Sequence, residues 1–183
     1  MPGHAPREVP QGQLYTPQER ARRDATVWTL VQGILAPLQF LVFAVSLALV
    51  LRYLWTGEGY MAATVSILIK TGVLYTIMVT GAIWEKVVFG QYLFAPPFFW
   101  EDAVSFGVIA LHTLYVWAAL SGAWSPAAQM TIALAAYAAY VVNAAQFVWK
   151  LRQARLSAER ADALAASQSL TENAAPEVTE QPA

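Results

Sequence analysis

The sequence predicts an all-α integral membrane protein, four transmembrane helices in a bundle with disordered polar tails, on three observations. Of 183 residues, 57% are apolar and only 13% charged, against about a quarter charged in soluble domains. Mean hydropathy is +0.43. Four apolar stretches, 27–51, 60–84, 102–122 and 128–149, each approach the ~20 residues that a helix needs to cross hydrocarbon. Eleven Lys and Arg against twelve Asp and Glu leave a net charge of −1, which offers no basic field for nucleic acid. The absence of cysteine removes disulfides, thiolate nucleophiles and Cys-type metal sites.

Residues 1–14 are polar and lack the continuous apolar run of a signal peptide, so they read as a tail. The domain expected to carry the function runs from 15 to 156, with a second tail over 157–183. Thr16-Pro17-Gln18-Glu19 has the form of a helix N-cap, a first-turn proline and a capping-box glutamate, followed by Arg20, Arg22 and Arg23. A short interfacial helix leading into lipid is expected there. Arg52 to Gly59 form a brief turn, Glu85 to Glu101 a longer aromatic link, and Ser121 to Pro126 a tight reversal whose Gly and Pro explain it. Beyond Lys150 the chain is first charged and Ala-rich, then Thr/Glu/Pro-rich from about Thr171.

Arg20, Arg22, Arg23, Lys86, Lys150, Arg152 and Arg155 lie near span ends on one side, and only Arg52 on the other. The positive-inside rule therefore places both termini and the 85–101 link in the cytoplasm.

Polar side chains inside spans cost free energy unless partnered, so they carry the information. Gln32 and Gln39 share a face of the first span, while Asn143, Gln146 and Lys150 share one near the end of the fourth. Glu85 closes the second span; Glu101 and Asp102 open the third on the same side, so three acids converge at one depth. Glu101, Ser105 and His112 form a stripe on the third helix, with the imidazole about 16 Å deeper than the carboxylate. Lys70, near the middle of the second span, costs about 2.5–3.5 kcal/mol on insertion scales and must be paired, hydrated or snorkelling. Each feature also has a structural explanation. The amides can bond across helices, the boundary acids can form interfacial ion pairs with Lys86 or an Arg, and His112 can be a hydrogen-bonded interior imidazole. The aromatic link, with Phe98, Phe99 and Trp100, can be a headgroup belt or a stacking platform for a flat ligand. No nucleotide-binding or metalloprotease motif is present, and two histidines, His4 and His112, exclude a multi-His metal site in one chain.

Three runs, WTLVQGILAPLQF (28–40), TGAIWEKVVFGQYLFAPPFFWED (80–102) and YVVNAAQFVWK (140–150), together resemble the 3-vinyl bacteriochlorophyllide hydratase family, 2-vinyl in older numbering. The likeness covers roughly residues 14–156. It implies a hydro-lyase that adds water to the C3 vinyl group of chlorophyllide a, or of the corresponding bacteriochlorin, giving a 3-(1-hydroxyethyl) product on the way to bacteriochlorophyll a. It also implies the cytoplasmic membrane of a phototrophic bacterium, exchange of pigment with other bacteriochlorophyll-synthesis enzymes, and no cofactor, the magnesium being part of the substrate.

The resemblance carries no assignment of catalytic residues, so roles follow from chemistry. A proton must reach the terminal CH2 and hydroxide the carbon beside the ring, which requires an acid, a base and a dry aromatic pocket. Glu101 is the expected acid and Glu85 or Asp102 the base. Asn143, Gln146 and Gln39 are expected to position water, and His112 to approach the pigment magnesium or relay a proton. Lys86, Lys150 or Arg152 would bond the propionate, and Trp84, Phe98, Phe99 and Trp100 would stack on the macrocycle. The competing classes are a non-catalytic pigment-binding or assembly protein and a small transporter; the crowding of polar residues into one half of the membrane disfavours the latter.

Overall fold

The computed structural model describes residues 14–122 and 124–174. Five helices follow one another, α1 (Pro17–Ala25), α2 (Val27–Thr56), α3 (Tyr60–Phe89), α4 (Phe99–Ser121) and α5 (Pro126–Ala174), with no strand among the described residues. α2, α3, α4 and the Pro126–Leu164 part of α5 are each long and apolar enough to cross a membrane, which gives the four expected spans. Their ends reach further than the apolar stretches. Glu85 and Lys86 belong to α3, while Glu101 and Asp102 lie in the first turn of α4. A charged residue ends a hydropathy window, but the backbone hydrogen bonds of a helix continue through it.

α5 also continues as helix to Ala174, where a disordered tail was expected from 157. The segment from 157 to 174 is rich in Ala, the best helix former, and Arg155 pairs with Glu159 one turn on at 3.0 Å. Residues 1–13, nearly all of the expected N-terminal tail, and 175–183 lie outside the described residues.

α2 packs mainly on α3 and α4 on α5, giving two antiparallel hairpins. They meet around a core that includes Phe43, Ile67, Leu74, Val108, Tyr115, Met130 and Tyr137. Leu30, Ile34, Leu38, Leu41 and Val45 stand exposed on α2, the outward apolar face that lipid covers. Polar bonds tie α2 to α3: Gln32 Nε2 donates to Thr80 Oγ1 at 2.8 Å, and Trp84 Nε1 donates to Thr29 Oγ1 at 2.9 Å. Gln32 is therefore the packing residue that the structural explanation foresaw. Pro37, inside α2 and two residues before Gln39, has no N–H to give the Gly33 carbonyl, which leaves that carbonyl without its helical partner.

α1 lies across the end of the bundle where the basic residues gather, here called the basic end. Thr16 and Glu19 form the reciprocal capping box that the sequence spells. Tyr15, just before it, is 5% exposed and stacks on Phe89 at 5.8 Å with 7° between the rings, while the Arg23 guanidinium sits 4.8 Å from its ring centre. Burial pushes the Tyr15 phenol above its ordinary range, so it stays neutral and acts as an apolar plug with Val88 and Phe98.

α3 ends at Gly90, whose φ of +86° lets its N–H reach the Lys86 carbonyl at 3.0 Å. Nothing lies within 4 Å of a Cβ added there, so the cost of Gly90→Ala is conformational alone. It should lower stability by about 1 kcal/mol, read from heat inactivation in detergent.

Candidate active site

The basic end brings together side chains from α3, α4, α5 and the 90–98 link. Glu85 and Asp102 are 6% and 3% exposed. Each carboxylate accepts one backbone N–H of the link: Ala95 N donates to Glu85 Oε2 at 3.1 Å and Phe94 N donates to Asp102 Oδ2 at 2.6 Å. The two carboxyl groups are near enough to interact with each other, and two neighbouring buried carboxyls bond to one another only when one of them carries a proton, because two carboxylates have only acceptors. The link is shaped to make these bonds. Phe94 has φ +58°, an uncommon conformation for a bulky residue, and its ring stacks on Phe106 at 5.5 Å and 9°.

Glu101 belongs to the same cluster but has a different partner. Lys150 Nζ lies 2.5 Å from Glu101 Oε2, donates to the Pro97 carbonyl and sits 5.3 Å from the centre of the Phe98 ring. This contact makes Glu101 the ion-pair partner of Lys150, while Glu85 and Asp102 face the link. Lys150 is a clamp between α5, α4 and the link, and so is not free at the rim for a propionate. Lys86 faces away from the cluster: it is exposed, donates to the Gly90 carbonyl at 2.7 Å and lies 5.4 Å from the Tyr92 ring centre.

The aromatic residues divide by burial. Phe98 is 3% exposed and packs with Trp84, Phe89 and Phe147, forming the apolar wall beside the acids. Phe99 and Trp100, 46% and 71% exposed, form an edge-to-face pair turned outward, which is the belt arrangement.

Deeper in the bundle, amide groups line the interior. Asn143 Nδ2 donates to Ser105 Oγ at 2.8 Å. Asn143 Oδ1, Gln146 Oε1 and both amide atoms of Gln39 are buried without a protein partner. Buried polar atoms are seldom left so, and these lie on inward faces of α2 and α5, where water or ligand would complete them.

At mid-depth Lys70 Nζ lies 2.5 Å from His112 Nε2, and His112 Nδ1 lies 2.8 Å from the Val108 carbonyl. A carbonyl only accepts, so Nδ1 carries the hydrogen and Nε2 accepts from Lys70. Both ring nitrogens are thereby used, and the imidazole has no lone pair to offer a pigment magnesium in this arrangement. Lys70 also lies 4.2 Å from the Tyr140 ring centre and 5.5 Å from that of Tyr137. The sequence reading missed these two tyrosines. Their signal was the recurrence of Tyr137, Tyr140, Asn143 and Gln146 every third residue, one slowly turning stripe of α5. No group of three or more His, Asp or Glu that could hold a metal ion occurs among the described residues.

The family model described as 2-vinyl bacteriochlorophyllide hydratase matches residues 15–153. The chain belongs to this hydratase family. It is 75% identical over 153 residues to the 2-vinyl bacteriochlorophyllide hydratase of Cereibacter sphaeroides, covering 84% of this chain and 95% of that one. It is 71% identical over 160 residues to the protein of the same name from Rhodobacter capsulatus, covering 87% and 93%. No solved structure matches. The stretch shared with the hydratase family contains every residue of the carboxyl cluster, the Lys150 clamp, the unpaired amides and the Lys70–His112 pair.

Proposed function

We propose that this chain is a hydro-lyase of bacteriochlorophyll synthesis that adds water across the vinyl group of chlorophyllide a or 3-vinyl bacteriochlorophyllide, giving the 3-(1-hydroxyethyl) product. The observation that carries the reading is the family match across the first three spans and most of the fourth. The acid cluster supplies a chemistry that fits it.

The Glu85–Asp102 pair, with one proton, meets the stoichiometry of hydration. Its proton goes to the terminal CH2 of the vinyl group, and the π electrons form the new C–H bond. Positive charge develops on the carbon beside the macrocycle and spreads into the ring. Water attacks that carbon and loses a proton to the pair, which ends with the one proton it started with. The pair thus serves as acid and then as base. Asn143, Gln146 and Gln39, with unpaired amide atoms, hold the attacking water. Phe98 and Trp84 keep bulk water from the cation, and Tyr15 with α1 covers them from the basic end. No redox change occurs, so the reaction calls for no electron carrier, and magnesium enters as part of the pigment. The seven-to-one excess of basic residues at span ends on the side of Lys86 and Lys150 supports a cytoplasmic membrane location with both termini in the cytoplasm. Pigment then enters and leaves on the side where other enzymes of the route can exchange it.

The test is incubation of the membrane-embedded chain with 3-vinyl chlorophyllide a in 18O-water. A product heavier by one labelled water, with its red absorption band shifted to the blue by loss of vinyl conjugation, is expected. Pigment held by the purified protein without any hydrate would replace this reading by a pigment-binding one.

A further inference from the structure

Lys70 has no part in the acid–base cycle above, yet it is 0% exposed and buried at the centre of the bundle, as is His112. Its described partners are an imidazole that accepts one N–H and the faces of two tyrosines, and no carboxylate among the described residues pairs with it. A lysine at this depth is costly unless compensated. Tyr137 cannot turn its hydroxyl to the amine, because that oxygen is bonded to Ser46 Oγ at 2.5 Å, and Ser46 in turn lies 2.7 Å from Ser66 Oγ. The amine therefore keeps N–H groups with only ring faces to meet them.

A second observation points the same way. Gln39, 2% exposed with both amide atoms unpartnered, lies one turn before Phe43, whose ring packs on Tyr137 and Tyr140. Asn143, with its free Oδ1, lies three residues from Tyr140 toward the basic end. Unsatisfied amide atoms on α2 and α5 thus lie between the depth of the carboxyl pair and that of Lys70. Asp102 and His112 are ten residues apart on α4, about 15 Å, a length of the order of a tetrapyrrole with its substituents.

We propose that Lys70, oriented by His112, is the binding site for an oxygen acceptor at the end of the substrate remote from the vinyl group: the propionate carboxylate or the conjugated ring ketone. This rests on the hydratase reading for the identity of the ligand. Lys70 is then a substrate-binding residue and His112 a positioning residue, whose Val108 bond fixes the tautomer that accepts from the amine. The pigment lies along the hairpin seam with its vinyl group at the Glu85–Asp102 pair, and its far oxygen gives the buried amine the acceptor that the protein does not.

The experiment reads binding, by pigment absorption on the full chain in lipid nanodiscs, with three probes: chlorophyllide a, its propionate methyl ester, and the analogue whose ring ketone is reduced to the alcohol. Wild type should bind one of the two altered pigments at least about tenfold more weakly than chlorophyllide a. Weakening by the ester identifies the carboxylate, and weakening by the alcohol identifies the ketone. Lys70→Met should bind all three alike, at the weaker level. The infrared carbonyl or carboxylate band of the bound pigment should lie lower in wild type than in detergent solution, a readout that does not depend on a variant folding. Lys70→Gln serves where the Met variant is not recovered. Equal binding of all three pigments by wild type with an unshifted band would overturn the proposal, as would a Lys70 variant that still discriminates. Binding is read before hydrate accumulates and does not depend on it, so a chain that fails to hydrate but passes this test refutes the hydratase reading alone.

Discussion

Glu85→Gln and Asp102→Asn should each reduce the rate of vinyl hydration by between about 10² and 10⁴, with pigment binding held within a few-fold. The amide replacements are chosen because an amide oxygen still accepts a backbone N–H. Glu85→Gln can keep the Ala95 bond and Asp102→Asn the Phe94 bond, so the link remains shaped and the strained Phe94 remains held. What each replacement removes is the ability to pass a proton. Since the two groups work as one unit with a single proton, the double variant should be scarcely slower than either single one. Glu101→Gln should lose much less, because Glu101 is the partner of Lys150 and not of the shared proton. Rates come from the appearance of the hydrate by mass, and binding from pigment absorption on the same preparations. Activity within tenfold of wild type in both single variants would remove the pair from the mechanism. Loss of pigment binding in step with activity would instead make the carboxyls clamps for the link.

How much of this could be read from the amino acids differs from feature to feature. The four spans are legible because hydrophobic length is a local property: nearly every residue between 27 and 51 declares itself without reference to any other. The capping box at Thr16 and Glu19 is legible for the same reason, both bonds lying within one turn. Meeting of the three acids is legible at the level of depth, since Glu85 ends one helix and Glu101 and Asp102 begin the next. Which acid pairs with which group is not. Asp102 and Glu101 are neighbours in sequence but point about 100° apart around α4, and that rotation sends one to Glu85 and the other to Lys150. Lys86 stands in the same relation to Glu85, and it is turned to the surface although its charge suggested a site. Lys70 and His112 were each conspicuous alone, but their bond depends on the register of α3 against α4, which bundle packing sets. The Phe94 and Ala95 amides escaped notice because a backbone N–H carries no sequence signature.

Lys150→Met should destabilise the protein by about 2 kcal/mol and lower the midpoint of heat inactivation by roughly 5 °C. Methionine keeps an apolar stem of similar length and removes the charged head with its contacts to Glu101, the Pro97 carbonyl and the Phe98 ring, so the change isolates what the ammonium does. Glu101 is 7% exposed, and without Lys150 its carboxylate would remain buried with its bonded cation gone. That penalty, more than the net worth of the ion pair, dominates when one member of a buried pair is deleted. The Pro97 carbonyl loses its donor in the same step, which frees the end of the link next to the acid pair. Adding Glu101→Gln to Lys150→Met should restore part of the loss, because a neutral amide is cheaper to bury than an unpaired carboxylate. The double variant should therefore be more stable than the sum of the two single effects predicts. Strict additivity would mean that solvent already screens the pair and that Lys150 acts through the Pro97 carbonyl alone. Hydration should fall with stability in Lys150→Met even though Glu85 and Asp102 are intact, since the amides of Phe94 and Ala95 that hold them belong to the link that Lys150 fastens to α5.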